Sequence, residues 1–488
     1  MIDLQTKIHD KFTLEFKAGF NAETSQTNKK YSDFLMNTWI FVPNSLDINK
    51  AKYSKDDFYR DIKSSVRLIT PSYQLHELAN ETSSFPHDNL LKHSLKIGDT
   101  ESNNELLHAL KMYCAIVKSA TRDAFKAIAS CKDADQMRNM AEAFLADAPK
   151  AIERYRDIYN ALDVNTIEKN LAQAFSYGDE FLSNILEQYG YRLRDFMRLQ
   201  HPAAYQVLES RFKEVLQSEK AYKQAKGYLC VKSDDDNTEF VFHASLLKKF
   251  AESDLFLEAN KSQSTFLIEQ ILYSAAAGVA MIFATVASFF FQQRYGNFTF
   301  PFLVALVISY MFKDRLKDWL RVLFASRVSP KIYDTKTKFR INEQEIGWSK
   351  DSFDFVSNEE IPDEVLHARA RSPLFTQASG EDEKIILYRK KVRLFRKQLD
   401  IASPFPLEGI NDHIRFNVTE YLRKMDNPRI PLLGAWEDQN YAVLTGAKSY
   451  FLHFVIQCVF DGQTEYKHIA VICNREGILD VKDVPIGG

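Results

Sequence analysis

The stretch ILYSAAAGVAMIFATVASFFF, from Ile271 to Phe291, decides how this chain is organised. It contains no acidic or basic side chain, and as a helix its length matches the ~30 Å hydrocarbon core of a bilayer. A second apolar run, FTFPFLVALVISYMF, extends from Phe298 to Phe312 and covers only about 22 Å of helix. The alternative is a pair of buried helices in a large soluble protein. We predict transmembrane helices at about 271–291 and 296–312.

The two apolar runs are separated only by Gln292 to Asn297, so the helices must be antiparallel neighbours with both flanks on one side. Basic residues identify that side. The loop contains only Arg294, whereas five basic residues follow the second run: Lys313, Arg315, Lys317, Arg321 and Arg327. The positive-inside rule therefore predicts a multi-pass protein of the cell membrane, such as a bacterial inner membrane, with both termini cytoplasmic.

Small residues recur every four positions along the first helix, and the second helix offers a matching groove. These helix-packing candidates are Ala276, Ala280, Ala284 and Ser288, with Ala305 and Ser309 opposite. The stripe can pack the hairpin within one chain, or it can join neighbouring protomers.

Beyond Phe312 the helical period continues and predicts an amphipathic helix, with an apolar face of Leu316, Trp319, Leu320, Leu323 and Phe324. Trp319 and the basic residues Lys313, Arg315, Lys317 and Arg321 suit the membrane interface. Alternatively, the apolar face docks on a cytoplasmic domain.

The 488 residues suggest two or three domains, and the 45% of apolar residues can supply their cores. A formal charge of -2 gives no general attraction to polyanions, so nucleic acid is not an expected partner. The five cysteines are scattered, an odd number without a CxxC pair, which favours reduced thiols.

The flanks predict a multidomain α+β protein. Residues 1–100 form a mixed αβ cytoplasmic region, and 101–227 form a helical bundle or stalk with breaks near Cys131, Asp163 and His201. A β-hairpin and a juxtamembrane helix occupy 228–265, with strands at 228–232 and 238–244. The transmembrane hairpin and the amphipathic helix fill 266–326, and 327–488 form a cytoplasmic α+β domain with an antiparallel sheet. This last domain includes predicted strands at 449–460 and 464–474, joined by a turn at Asp461-Gly462.

Three basic residues alternate along a predicted strand at 385–395. Arg389, Lys391 and Arg393 would share one face, giving a compact basic patch. One interpretation is a solvated edge strand protected by charge. The functional interpretation is contact with anionic lipid beside the membrane, with nucleic acid as the less favoured ligand.

Histidines concentrate between His76 and His108, and Asp88 directly follows His87. A His-Asp doublet resembles the core of the HD phosphohydrolase family, and the resemblance implies metal ligands at His76, His87 and Asp88. Asp88 also suits a helix cap. We find no Gly-rich phosphate loop and no HExxH or GxSxG motif, so no cofactor is predicted.

The sequence therefore favours a non-enzymatic, membrane-anchored scaffold or sensor facing the cytoplasm. Its expected partners are the lipid bilayer and either another protein or a second copy of itself. Two alternatives stay open: an oligomerising effector that perturbs the bilayer through the small-residue stripe, and a membrane-tethered metal-dependent hydrolase using the His76–His108 region.

Overall fold

A computed structural model of the chain describes residues 2–22, 30–80, 84–162, 168–233, 236–263, 265–296, 299–328, 333–341, 344–369, 383–435 and 441–486. It is a multidomain α+β protein with antiparallel sheets, as the sequence predicts. Two compact units are present. The sheet unit combines Met1–Val66, Glu258–Ala402 and Gly409–Gly488, and the helical unit combines Arg67–Leu257 and Ser403–Glu408.

The strands are β1 (Ile2–Asp10), β2 (Thr13–Asn21), β3 (Tyr31–Pro43), β4 (Ile62–Leu68), β5 (Glu258–Gln263), β6 (Thr335–Ile341), β7 (Gln344–Val356), β8 (Glu383–Phe395), β9 (Gly409–Asn417), β10 (Arg429–Ala435), β11 (Tyr441–Ala447), β12 (Tyr450–Phe460), β13 (Gln463–Asn474) and β14 (Gly477–Val484). The helices are α1 (Lys55–Asp61), α2 (Leu75–Ala79), α3 (Phe85–Ser94), α4 (Thr100–Ser130), α5 (Ala134–Ala161), α6 (Lys169–Gln200), α7 (Pro202–Lys226), α8 (Thr238–Ala251), α9 (Thr265–Tyr295), α10 (Phe300–Val328), α11 (Asp363–Arg369), α12 (Arg396–Ala402) and α13 (Thr419–Leu422).

An eight-stranded sheet, in the order β14-β13-β12-β3-β8-β7-β6-β5, dominates the sheet unit. Asn37 on β3 lies opposite both Arg389 on β8 and Gln457 on β12, so strands from the two ends of the sequence form one sheet. A four-stranded sheet, β1-β2-β9-β4, supplies further core residues, and Phe16 on β2 packs 5.4 Å from Phe454 on β12. The N-terminal strands and the C-terminal strands are thus parts of one unit.

The helical unit contains the long helices predicted between residues 101 and 227. α4 ends at Ser130 and α6 ends at Gln200 before Pro202, so the breaks predicted near Cys131 and His201 are confirmed. The break predicted near Asp163 follows the end of α5 at Ala161, but residues 163–167 lie outside the described part of the chain. Apolar residues of α4, α5 and α6 fill the interior.

The β-hairpin predicted at 228–265 is wrong. Residues 238–244 begin α8, which continues to Ala251 and buries Leu247. No strand forms at 228–232; instead, Asn237 exchanges 2.8 Å hydrogen bonds with the main-chain N–H and C=O of Lys232. The short alternation in TEFVFHA was misleading because a helical period extends beyond it. The β5 strand does lie at the end of this region, but its partner is β6.

Helices α9 and α10 form an antiparallel hairpin between β5 and β6, whose strands pair from Gln263↔Thr335 to Glu258↔Arg340. The predicted amphipathic segment is not a separate helix, because α10 runs without a break from Phe300 to Val328. Pro301 is its only Pro or Gly, and it stands in the first turn, where proline is tolerated.

One described helix is long and apolar enough to cross a membrane: residues Gln270–Tyr295, with mean hydropathy 1.9. The predicted pair of spanning helices is not confirmed, because α10 is apolar only as far as Phe312 and then becomes charged at Lys313.

Candidate functional site

Small residues bring the two helices of the hairpin together. Ala276, Ala280 and Ser309 are buried, being 0%, 1% and 6% exposed. Ala284, Ser288 and Ala305 are half-buried in the same contact. The stripe therefore packs α9 on α10 within one chain, which is the first of the two uses that the sequence allowed.

The outer surface of the hairpin is apolar and exposed. Large side chains such as Val286, Phe289 and Val307 are 61%, 66% and 49% exposed. Only 17% of the most apolar window of α9 is buried, whereas a core helix of a soluble protein would be mostly covered. An exposed apolar surface of this extent indicates contact with a membrane or another protein.

Arg321 on α10 lies beside the N-terminal part of α9, while Lys313 contacts a ring of α10 itself. The Arg321 guanidinium lies 5.2 Å from the ring centre of Tyr273, and the Lys313 amine lies 3.8 Å from that of Tyr310. Trp319 is 60% exposed. The apolar part of α10, residues 300–312, is about 20 Å long, so this length limits how much of the hairpin can sit in hydrocarbon.

The predicted basic patch lies on an inner strand, and the edge-strand interpretation is wrong. β8 pairs with β3 on one side and β7 on the other. Arg389, Lys391 and Arg393 share a half-exposed face, as the alternation predicts. Arg393 donates to both carboxylate oxygens of Asp33, at 2.6 and 2.7 Å, and Arg389 donates to Ser352 Oγ at 2.9 Å.

Sequence reasoning missed two further lysines on this face. Lys336 on β6 lies directly opposite Lys350 on β7, which lies directly opposite Lys391 on β8. We call Lys336, Lys350 and Lys391 the lysine row. Alternation within β6 and β7 could have placed each lysine on a face of its own strand. The row itself depends on the strand register, because Lys350 and Lys391 are 41 positions apart in the sequence.

The opposite face of β8 carries a buried charge. Lys390 is 1% exposed, pairs with Asp351 at 3.3 Å and also contacts Asp412 on β9. Burial opposes its positive charge, but the two carboxylates raise the pKa of Lys390 above its ordinary value. Ser64 Oγ donates to Asp412 Oδ1 at 2.6 Å. The contact of Lys390 on β8 with Asp412 on β9 links the two sheets, so this buried charge has a structural role.

The predicted metal ligands are not brought together. His87 Nδ1 lies 3.4 Å from Asp88 Oδ1 but only 2.8 Å from an Arg154 nitrogen, and burial and this guanidinium lower the pKa of His87. His76 lies on α2. Among the described residues, no group of three or more His, Cys, Asp or Glu side chains is close enough together to hold a metal ion. Asp88 does not cap α3, which starts at Phe85 after Ser84.

A second histidine arrangement lies in the sheet unit. His453 Nδ1 and His468 Nε2 are 3.0 Å apart on neighbouring strands, near the buried Arg369–Glu383 ion pair. Burial and Arg369 lower the pKa of His453 to about 3 and that of His468 to about 4, with His468 adding to the shift of His453. Both rings are therefore neutral at physiological pH.

Comparison with known proteins adds no family: no family model, no curated protein and no solved structure matches the chain.

Proposed function

We propose that this chain is a membrane-anchored scaffold or sensor, held in the bilayer by the α9–α10 hairpin. The observation that carries the proposal is the contrast between the two sides of the hairpin. Ala276 and Ala280 are buried against α10, while bulky residues such as Phe289 point outward and stay exposed. Water is a poor solvent for such a surface, and lipid chains are a good one.

The length of the hairpin defines how it would sit in the membrane. The apolar part of α10 is about 10 Å shorter than the ~30 Å hydrocarbon core. Lys313 at one end and Arg294 at the other can extend their apolar stems along the helices while their charges reach the headgroups. Local thinning of the bilayer accommodates the rest at a modest cost.

The orientation follows from charge. The last turns of α9 carry Gln292, Gln293 and Arg294, and the membrane-proximal part of α10 carries four basic residues, Lys313, Arg315, Lys317 and Arg321. The positive-inside rule places these four, and the strands β5 and β6 that adjoin the hairpin, in the cytoplasm. Both folded units then face the cytoplasm, where the scaffold or sensor role is exercised through their surfaces.

Fractionation and labelling test this proposal together. We expect the full chain to remain in membranes after an alkaline carbonate wash, because its apolar helices are held by lipid. In a background with Cys131 and Cys230 replaced by serine, Gln293→Cys should react with an impermeant maleimide outside intact cells. Glu359→Cys, exposed on the sheet unit, should react only after permeabilisation.

Release of the chain by carbonate would contradict anchoring. Labelling of Glu359→Cys in intact cells would contradict the orientation, and protection of Gln293→Cys in intact cells would show that the hairpin does not cross the bilayer.

A further inference from the structure

The lysine row is an unfavourable arrangement for the fold alone. Residues directly opposite on neighbouring strands have their Cβ atoms about 5 Å apart, and like charges there destabilise a sheet. Lys350 has a lysine opposite it on both sides. Burial and the charges of Lys336, Lys391 and Arg393 lower the pKa of Lys350, as expected where positive charge is concentrated.

Carboxylates do not compensate this row. Among the described residues, Lys336, Lys350 and Lys391 have no carboxylate oxygen within 4.0 Å, although Lys338 on the same face pairs with Glu345 at 2.9 Å. The chain as a whole has a net charge of -2, so acidic residues are plentiful elsewhere. The positive charge is thus local, and nothing on these strands neutralises it.

Aromatic rings lie among the cations. The Lys336 and Lys350 amines and the Arg393 guanidinium lie 5.5, 5.1 and 5.3 Å from the ring centre of Trp348. These side chains are therefore held over one indole, which limits the freedom they would lose on binding an anion. Lys391, at the end of the row, also lines an open cleft of about 720 Å³. The lining of this cleft includes Lys30, Tyr31 and Tyr333 and two carboxylates, those of Asp461 and of Asp33, which Arg393 already binds.

We propose that the lysine row, Lys336, Lys350 and Lys391, is a binding site for a phosphate-bearing ligand of headgroup size, with its organic part in the adjoining cleft. Charge-assisted hydrogen bonds from three amines suit phosphate oxygens and would relieve the repulsion within the row. The lysine row belongs to the sheet unit, so binding there does not depend on whether the hairpin enters a bilayer.

The dimensions of the row favour a compact ligand over nucleic acid. Three neighbouring strands span about 10 Å, and the interval from Arg389 to Arg393 on β8 spans about 14 Å. A single-stranded nucleic acid needs a basic track of about 4–16 nucleotides. A phosphorylated headgroup and a small soluble polyphosphate both fit the smaller area, and they share the chemistry that the lysines recognise.

Binding to the full chain in a nonionic detergent tests the proposal. One arm adds inorganic pyrophosphate; the other adds phosphatidylglycerol to the micelles, with phosphatidylcholine as the neutral comparison. We expect calorimetric binding and a rise in melting temperature in at least one arm. Binding in the lipid arm alone identifies the source as a headgroup, binding of pyrophosphate alone identifies a soluble ligand, and binding in both supports a general phosphate site.

The variants decide whether the row is responsible. Each basic residue near an anionic surface contributes about five-fold in affinity, so Lys350→Gln combined with Lys391→Gln should weaken binding about 30-fold. The same double variant should melt slightly higher than the wild type without ligand, because the repulsion is removed. Lys338→Gln, whose charge is already paired, should leave binding nearly unchanged.

Three results would overturn the proposal: no binding by the wild type in either arm, equal binding by the double variant, or binding of an oligonucleotide with neither phosphate ligand bound. Because the measurement is made in detergent, none of these results bears on membrane anchoring, which the carbonate wash tests separately.

Discussion

A lysine introduced at two depths of α10 distinguishes a lipid-embedded hairpin from one in water. Val307 and Val322 lie on the same helix and are similarly exposed, at 49% and 68%. Val307 lies near the middle of the apolar part, about 9 Å along the helix from Lys313, whereas Val322 lies within the charged part of α10, after Arg321. Val307→Lys and Val322→Lys are thus the same chemical change in two different surroundings.

The magnitude follows from the composition of α10. Residues 300–312 contain eight Phe, Leu, Val or Ile residues, which favour insertion by about 0.3–0.6 kcal/mol each, or about 2–5 kcal/mol together. A lysine near the bilayer centre costs about 2.5–3.5 kcal/mol, and the favourable valine is lost as well. Val307→Lys should therefore bring the free energy of inserting α10 close to zero. Val322→Lys should leave this free energy almost unchanged.

Retention of the chain in carbonate-washed membranes measures the difference, with the melting temperature in detergent as the control for folding. We expect the retained fraction of Val307→Lys to fall below that of the wild type, with α9 still holding part of the chain, and Val322→Lys to behave as the wild type. Equal retention of the two variants would refute the reasoning, because depth in the membrane would then have no influence.

Three further predictions concern packing, buried charge and pH. Ala280→Leu overpacks the buried contact between α9 and α10 and should cost about 1–3 kcal/mol, seen as easier proteolysis of the hairpin in detergent, whereas Ala275→Leu, at an exposed position, should be neutral. Lys390→Met leaves two buried carboxylates without their amine and should lower the free energy of unfolding in guanidinium by about 3–5 kcal/mol at neutral pH. A variant as stable as the wild type would contradict a structural role for these contacts. The pKa values of His453 and His468 are lower in the folded chain than in the unfolded chain, so the unfolded chain binds these protons at a higher pH. The free energy of unfolding should therefore fall as the pH drops from about 6.5 towards 4. His468→Gln should flatten the pH dependence of the melting temperature.

Local elements were predictable where a pattern persisted over many residues. The strands at 385–395, 449–460 and 464–474 are confirmed, as is the turn at Asp461-Gly462, because β-branched and aromatic residues alternate or run continuously there. The long helices between residues 101 and 227 are confirmed for the same reason. The strand predicted at 238–244 was wrong, because a pattern of seven residues is too short to distinguish a strand from the first turns of a helix.

Long-range assembly was not predictable from local patterns. The pairing of β3 with β8 joins residues about 350 positions apart, and no periodicity within either strand specifies its partner. The basic patch was found only in part for this reason: alternation places Arg389, Lys391 and Arg393 on one face, but the register adds Lys336 and Lys350. The predicted metal site in the His76–His108 region was wrong, because residues close together in the sequence do not form a group of metal ligands in the described structure.

The two ends of the α9–α10 hairpin join neighbouring strands of the eight-stranded sheet. Gln263, before the hairpin, and Thr335, after it, are partners in a strand pair, so they are only about one strand spacing, ~4.8 Å, apart. A short turn of a few residues could close the same gap. The α9–α10 hairpin is therefore an insertion between two paired strands of one β-ladder, and under the proposed function its removal would convert the sheet unit from a tethered to a free form without rebuilding its core.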